Sequence, residues 1–112
     1  MIKVLFICGK ARRRSPTAAD LAARLADVDA DFAGLSADAD VRLGAEQIAQ
    51  ADLVVVMERR QLARLRRQFG ERLHGKRVVA LNVPDRFDYM EPALVAVLTP
   101  QLERLLGAAR RS

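Results

Sequence analysis

Cys8 is followed six positions later by Arg14 and then by Ser15, and these three side chains have the types and spacing for phosphoryl chemistry. A cysteine attacks as its thiolate, and helix N-termini or nearby cations lower the pKa of a cysteine thiol from roughly 8.5 to ~3.5–7.5. An arginine guanidinium grips two phosphate oxygens as a planar fork. The Ser15 hydroxyl is placed to stabilise the thiolate. The pattern C-x5-R-S therefore predicts a phosphate group held above a nucleophilic sulfur.

The context of this loop supports the interpretation, because arginine is abundant here and the spacing alone is a weak signal. Residues 2–8 (IKVLFIC) form a short apolar run that is typical of a buried parallel strand. Ser15 and Pro16 are typical of a helix N-cap followed by the first helical residue. A helix N-terminus exposes unpaired N–H groups that bind anions. We therefore expect the phosphate to contact Gly9, Lys10, Ala11, Arg12, Arg13, Arg14 and Ser15.

A second candidate segment, VPDRFDY at 83–89, follows the last predicted strand. Expelling an alkoxide or phenolate from phosphate needs a proton donor on the leaving-group side, and a thiolate nucleophile cannot supply it. Asp85 is the first candidate for this general acid, and Asp88 is its rival. An ordinary Pro-Asp turn is an equally good interpretation of these residues. Phe87 is a candidate wall for an aromatic substrate ring.

The rest of the chain alternates short apolar runs with amphipathic segments. These patterns predict further strands over 29–35, 52–57 and 76–81, and helices over 15–25, 41–50, 58–69 and 92–109. Gly70 is expected to end the third helix, and Thr99-Pro100 to break or kink the last one. Such alternation indicates an α/β fold with a parallel sheet that helices cover on both faces. Because ligands of such sheets bind beyond the carboxyl ends of the strands, Cys8 and Asp85 could converge there.

The formal charge of +5 at pH 7 biases the chain toward anionic partners. Nucleic acid is disfavoured, because the few aromatic residues, four Phe and one Tyr, are not interleaved with the basic runs. A length of 112 residues suits one domain over 1–112, and no apolar run reaches the length of a membrane span or a signal peptide. One cysteine excludes an internal disulfide, which favours the cytoplasm. No residue cluster suggests a metal, and no cofactor is expected.

The segments CGKARRRSPTA at 8–18 and VPDRFDY at 83–89 resemble the low-molecular-weight protein tyrosine phosphatases, and most closely the short bacterial proteins related to them. The similarity extends over almost the whole chain. The fold that this resemblance implies is a three-layer α/β/α sandwich with a four-stranded parallel sheet in the order 2-1-3-4. The roles that it implies are nucleophile, phosphate-binding arginine, supporting serine and general acid for Cys8, Arg14, Ser15 and Asp85.

Three positions depart from the family pattern. Ala11 stands where asparagine usually helps to hold the shape of the loop, and Arg86 replaces the proline after the acid. Arg13 stands where many members have a second cysteine, which protects the nucleophile as a reversible disulfide. The predicted loop at 36–40 also carries no aromatic residue to line a phosphotyrosine pocket. We therefore expect a shallow pocket and weak activity toward phosphotyrosine.

The function expected from these residues and from the resemblance is hydrolysis of phosphate monoesters, above all phosphotyrosine in proteins, through a phosphocysteine intermediate. The partners would be phosphorylated proteins or small aryl phosphates, with phosphate as product and inhibitor. Three alternatives stay open. They are an arsenate reductase that uses an external thiol, a phosphocysteine carrier subunit of a sugar-uptake system, and a phosphate-binding module without turnover.

Overall fold

Strands and helices alternate along the chain in a computed structural model that describes residues 1–25 and 27–110. The strands are β1 (Ile2–Cys8), β2 (Val28–Gly34), β3 (Leu53–Val56) and β4 (Arg77–Ala80). The helices are α1 (Arg14–Ala22), α2 (Ala45–Gln50), α3 (Arg59–Phe69) and α4 (Pro92–Arg110), and a 3-10 turn follows α3 at Gly70–Leu73. Within the described residues, no helix is long and apolar enough to cross a membrane.

The four strands form one parallel sheet in the order β2-β1-β3-β4. β1 and β3 occupy the centre, and their apolar runs are continuous because both faces of these strands are covered. The predicted α/β sandwich with strand order 2-1-3-4 is therefore confirmed. Strand β2 lies at an edge of the sheet, and β4 lies at the opposite edge.

Alternate side chains of the central strands enter two separate hydrophobic clusters. Phe6 and Val55 pack into the cluster that α1 and α4 cover, whereas Ile7 and Val54 pack into the cluster that α2 and α3 cover. All four side chains are fully buried. The central strands are thus held from both faces, so the loops that leave their carboxyl ends start from rigid positions.

Helix α2 begins four residues later than predicted, at Ala45 instead of position 41. Its N-cap is Gly44, whose N–H donates to Gln47 Oε1 at 3.2 Å. The residues before it extend the edge of the sheet, because the Gly34 N–H donates to the Val41 carbonyl and the Leu43 N–H donates to the Gly34 carbonyl. Local helical spacing was outweighed here by backbone pairing with the end of β2.

The two interruptions expected in the second half of the chain have different outcomes. Helix α3 ends at Phe69 with Gly70 as its C-cap residue, as predicted. Gly70 has right-handed helical φ and ψ, so the chain continues into the 3-10 turn, and Gly75 instead carries the positive φ of 78°. Helix α4 passes through Pro100 without a break. The Thr99 hydroxyl donates to the Val95 carbonyl at 2.7 Å near the residue that lacks an N–H.

Candidate active site

Cys8 is the last residue of β1 and lies at the carboxyl edge of the sheet. Its register partner in β2 is Gly34, and the residue is only 3% exposed. The loop at 9–13 leads from it directly into α1. A central, doubly paired strand therefore holds the sulfur in position before any ligand binds.

Two polar groups converge on the Cys8 sulfur. The Ala11 N–H donates to Sγ at 3.2 Å, and Ser15 Oγ lies 3.0 Å from the same atom. When the sulfur is ionised the hydroxyl must be the donor, because a thiolate can only accept. A hydrogen bond to a charged group contributes ~1.5–3 kcal/mol, so both contacts stabilise negative charge on the sulfur. This is the environment that a cysteine nucleophile requires.

Ser15 is not the helix N-cap that the sequence predicts. Helix α1 starts at Arg14, its N-cap residue is Arg13, and no side chain caps it. The fully buried Ser15 hydroxyl is engaged by the Cys8 sulfur instead. Pro16 is consequently the third helical residue, where its missing N–H is harmless because the first-turn N–H groups have no intrahelical partner.

Ala11 has a φ of 59°, in the left-handed region. This conformation costs an L-residue other than glycine roughly 1–2 kcal/mol, and asparagine tolerates it better than alanine does. Ala11 is 3% exposed, and its N–H is the one that points at Cys8 Sγ. The strained residue thus turns the loop so that a backbone donor faces the sulfur. Asparagine, which the family resemblance leads one to expect here, would suit the same backbone.

Arg14 is the first residue of α1 and is 4% exposed. Its Nη1 donates to Glu58 Oε1 at 2.5 Å and to the Val83 carbonyl at 2.8 Å, while Nη2 lies 3.7 Å from Asp85 Oδ2. These contacts hold the guanidinium in one orientation. Because a guanidinium carries five N–H donors, others remain for phosphate oxygens.

Glu58 is a site residue that the sequence reasoning missed. It is the N-cap residue of α3, and the Gln61 side chain accepts hydrogen bonds from the backbone N–H groups of Met57 and Glu58, at 2.9 and 3.0 Å. Burial acts to raise the pKa of Glu58, but the hydrogen bonds and charges of Arg14 and Arg60 outweigh it and lower that pKa. The carboxylate is therefore ionised and compensates the charge of the buried guanidinium.

A signal for Glu58 was present in the sequence. Glu58 is the first residue of the third predicted helix and comes directly after the predicted strand at 52–57. The carboxyl end of β3 also lies at the same edge of the parallel sheet as Cys8. An acid at that position is therefore a natural partner for an arginine in the neighbouring loop.

A pocket of about 270 Å³ opens at the sulfur and is lined by Cys8, Gly9, Lys10, Arg12, Arg13, Arg14 and Asp85. Two of its cations are paired, Lys10 with Asp38 at 2.6 Å and Arg12 with Asp40 at 2.9 Å. The hydrogen bond from Lys10 lowers the pKa of Asp38, and the hydrogen bond to Asp40 raises the pKa of Arg12. Arg13 has no acidic partner among the residues the structure describes.

Asp85 lies at the mouth of this pocket, and its side chain is 55% exposed. Its rival Asp88 is exposed and is not among the pocket-lining residues of the described structure. Asp85 follows β4, and Cys8 ends β1, so the two residues meet from strands that are not adjacent. The geometry therefore favours Asp85 for a proton donor on the open side of the pocket.

Phe87 does not line the pocket, so its prediction as a substrate wall is wrong. The residue is 6% exposed and belongs to the cluster under α1 and α4. The Arg86 guanidinium covers the ring, 5.3 Å from its centroid. Full burial of such a side chain contributes ~1.5–3 kcal/mol, which explains why the ring faces the core.

The far end of the segment that carries Asp85 is attached to α1. The Met90 N–H donates to Thr17 Oγ1 at 3.0 Å, and the Tyr89 hydroxyl donates to Asp20. The hydrogen bond to Asp20 raises the pKa of Tyr89, so this hydroxyl keeps its proton. The segment is thus tied down on both sides of Asp85, because the Val83 carbonyl is held by Arg14.

Residues 1–25 and 27–110 contain no group of three or more His, Cys, Asp or Glu side chains arranged to hold a metal ion. The polar groups around the pocket are instead backbone N–H groups, a hydroxyl, guanidinium groups and a carboxylate. These are groups that bind an oxyanion and transfer a proton.

Several solved structures share this architecture over nearly the full chain. The YwlE arginine phosphatase from Geobacillus stearothermophilus has a TM-score of 0.78 at 19% identity, covering 99% of this chain and 94% of that one. The tyrosine phosphatase Wzb from Escherichia coli K30, in complex with phosphate, has a TM-score of 0.78 at 20% identity, with coverage of 96% and 99%. DARP, a Drosophila arginine phosphatase, has a TM-score of 0.74 at 18% identity, with coverage of 96% and 98%.

The chain has the fold of these low-molecular-weight phosphatases. The sequence matches no family model and no curated protein. At identities of 18–20% the likeness establishes the phosphatase fold.

Proposed function

We propose that this chain is a cysteine-dependent phosphatase that hydrolyses phosphate monoesters, with phosphotyrosine in proteins as its principal substrate. The proposal is carried by the convergence of the Ala11 N–H and the Ser15 hydroxyl on the Cys8 sulfur, at a pocket that Arg14 lines. Arg14 and the loop N–H groups hold the equatorial phosphate oxygens, which is the work that metal ions do in other phosphatases.

Hydrolysis then proceeds in two steps. The Cys8 thiolate attacks phosphorus, the S–P bond forms as the P–O bond to the leaving group breaks, and Asp85 gives its proton to the departing oxygen. Asp85 next takes a proton from water, whose oxygen attacks the phosphocysteine. The S–P bond breaks, the thiolate is regenerated, and phosphate leaves. Inorganic phosphate is therefore expected to be both product and competitive inhibitor.

Phosphoarginine is a second candidate substrate, because two of the similar structures are of arginine phosphatases. The same groups would then cleave a P–N bond. Of the cations that line the pocket, however, Arg13 has no acidic partner among the described residues. Its charge would repel a leaving group that is a guanidinium, so a phosphate ester is the better fit.

We also propose a cytoplasmic location. The mechanism depends on one reduced thiol, and no second cysteine is available to protect it by a reversible disulfide. Cytosolic reductants keep such thiols reduced. Phosphorylated proteins and small aryl phosphates are the expected substrates there.

The test is turnover of p-nitrophenyl phosphate by the purified protein. We expect Cys8→Ser and Arg14→Ala to abolish turnover, and Asp85→Asn to slow substrates with poor leaving groups by ~10²–10⁴-fold. Arg67→Ala, an exposed position in the last turn of α3, is the matched control and should retain wild-type rates. Full activity of Cys8→Ser would rule out the nucleophile assignment.

The same preparation distinguishes the alternative functions. Phosphate binding without turnover would indicate a binding module, and a long-lived phosphoprotein would indicate a carrier subunit. Arsenate reduction that depends on an added low-molecular-weight thiol would indicate a reductase. Side-by-side hydrolysis of phosphotyrosine and phosphoarginine decides between the two phosphatase substrates.

A further inference from the structure

A second cavity, of about 640 Å³, adjoins the proposed active site and is lined by Glu58, Arg59, Arg60, Ala80, Leu81 and Asn82. Glu58, which lines this cavity, accepts a 2.5 Å hydrogen bond from Arg14, which lines the phosphate pocket. The Arg14–Glu58 pair therefore forms a wall that the two cavities share. A ligand bound at one of them lies next to the other.

The backbone that leaves β4 also runs from one cavity to the other. Leu81 and Asn82 line the second cavity, and Asp85 lines the first. Between them the fully buried Val83 gives its carbonyl to Arg14. The segment that follows β4 thus connects the phosphate pocket at Cys8 with the second cavity at the start of α3.

The charged side chains that line the two cavities are not all paired with opposite charges. Glu58 accepts hydrogen bonds from both Arg14 and Arg60, and Asp85 Oδ2 lies 3.7 Å from Arg14 Nη2, so these two guanidinium groups already have carboxylate partners. Arg59 is exposed and has no acidic partner among the residues described, and the same is true of Arg13 at the phosphate pocket. Lys10 and Arg12, which also line the phosphate pocket, are paired with Asp38 and Asp40. Uncompensated positive charge therefore remains at each cavity.

We propose that the preferred substrate is an acidic phosphopeptide, whose phosphate binds above Cys8 while a nearby Asp or Glu side chain binds Arg59 and Arg60 in the second cavity. This inference rests on the proposed function, because the phosphate pocket is the anchor of the substrate. A carboxylate suits the second cavity because a guanidinium pairs with it through two parallel hydrogen bonds.

The experiment measures the affinity of three peptides that contain a non-hydrolysable phosphotyrosine analogue. One carries three Glu residues before the analogue, one carries them after it, and one carries Ala on both sides. We expect one acidic peptide to bind wild-type protein roughly three- to tenfold more tightly than the Ala peptide, in line with exposed ion pairs. This preference should shrink as salt is added.

Arg59→Ala should remove most of the preference, and Arg60→Ala should reduce it. Arg67→Ala removes the same side chain from an exposed position of the same helix that lies outside the cavity, so its preference should match that of wild type. Equal affinities for the three peptides, or a preference that survives in Arg59→Ala, would overturn the inference. Equally tight binding of the acidic peptide without the phosphotyrosine analogue would overturn it too, because the arginines would then form a separate anion-binding surface.

Turnover of p-nitrophenyl phosphate separates this result from the proposed function. Normal turnover without a peptide preference overturns the acidic-substrate inference and leaves the phosphatase proposal standing. An intact, Arg59-dependent preference without turnover supports the peptide-binding site and overturns hydrolysis.

Discussion

Arg14 carries a full positive charge at a position that is 4% exposed. A buried charge is costly unless it is paired and hydrogen-bonded, and Glu58 together with the Val83 carbonyl meets both conditions. Glu58 thus has two effects, since it stabilises the folded chain and it fixes the orientation of the guanidinium. The effect on stability is testable in one variant.

We expect Glu58→Gln to lower the free energy of unfolding at neutral pH by about 1–3 kcal/mol, because the buried Arg14 loses its hydrogen-bonded counter-charge. The folded-state pKa of Glu58 lies below its ordinary value of 4.5. Its stabilising contribution is therefore present above that pH and is lost as the pH falls through the folded-state pKa. Urea unfolding of wild type and variant should accordingly show a difference that shrinks below pH 4.5.

Glu71→Gln is the control, because Glu71 is exposed in the 3-10 turn. Its free energy of unfolding should stay within about 0.5 kcal/mol of wild type at each pH. The free energies of unfolding of wild type and Glu58→Gln should differ less below the pKa of this carboxyl than above it. If they differ by the same amount on both sides, the charge of the ion pair contributes nothing to stability.

The segment at 81–91 joins β4 to α4, and its attachment to α1 determines where Asp85 lies. The fully buried Thr17 hydroxyl accepts the Met90 N–H at 3.0 Å and donates to the Arg13 carbonyl at 2.6 Å. One hydroxyl therefore links the segment that carries the acid to the first turn of the helix that carries Arg14. Met90 has a positive φ of 56°, so the backbone turns sharply at this link.

We expect Thr17→Val, which keeps the shape and removes the hydroxyl, to destabilise the protein by about 1–3 kcal/mol because the Met90 N–H loses its partner. Asp85 should then be held less well. The rate should fall more for phenyl phosphate, whose leaving group needs protonation, than for p-nitrophenyl phosphate. Steady-state rates for the two substrates measure this ratio.

Thr99→Val is the matched control, because the Thr99 hydroxyl donates to the Val95 carbonyl of its own helix. It should leave the ratio of the two rates unchanged. Equal losses for both substrates in Thr17→Val would mean that the link to Met90 does not position the acid.

Gly34 joins parts of the molecule that are far apart along the chain. It pairs with Cys8 across the sheet and exchanges hydrogen bonds with the residues that precede α2. A Cβ atom at this position would lie 2.6 Å from the Gly9 carbonyl oxygen, 2.6 Å from Ala39 Cβ and 3.0 Å from the Lys10 carbonyl carbon. The loop at 9–13 therefore packs directly on a backbone position that carries no side chain.

We expect Gly34→Ala to displace the backbone at Gly9 and Lys10, and so to lower the free energy of unfolding by about 1–3 kcal/mol. A shift of this kind near reacting atoms costs up to ~10²-fold in rate, so kcat/KM for p-nitrophenyl phosphate should fall at least about tenfold. Urea unfolding and steady-state kinetics measure the two effects.

Gly70→Ala is the control, because Gly70 has helical φ and ψ and an added Cβ meets nothing within 4 Å. Wild-type kinetics in Gly34→Ala would show that the close approach does not shape the loop.

Much of this architecture can be read from local features of the chain. The apolar run that ends at Cys8, the C-x5-R-S spacing and the alternation of strand and helix patterns are properties of short segments. They predict a parallel sheet and place the cysteine at its carboxyl edge, because parallel strands joined by helices have few other arrangements. The sheet and the position of Cys8 were correctly predicted for this reason.

Contacts between side chains that lie far apart along the chain could not be predicted from local features. Ser15 has the local features of a helix cap but bonds to the Cys8 sulfur, and Phe87 lies beside the candidate acid but faces the core. Glu58 meets Arg14 from 44 residues away. In each case the local sequence did not single out one partner for the side chain. The choice followed from which groups the folded sheet and helices brought within contact distance, since hydrogen bonds and apolar contacts act over only a few ångströms.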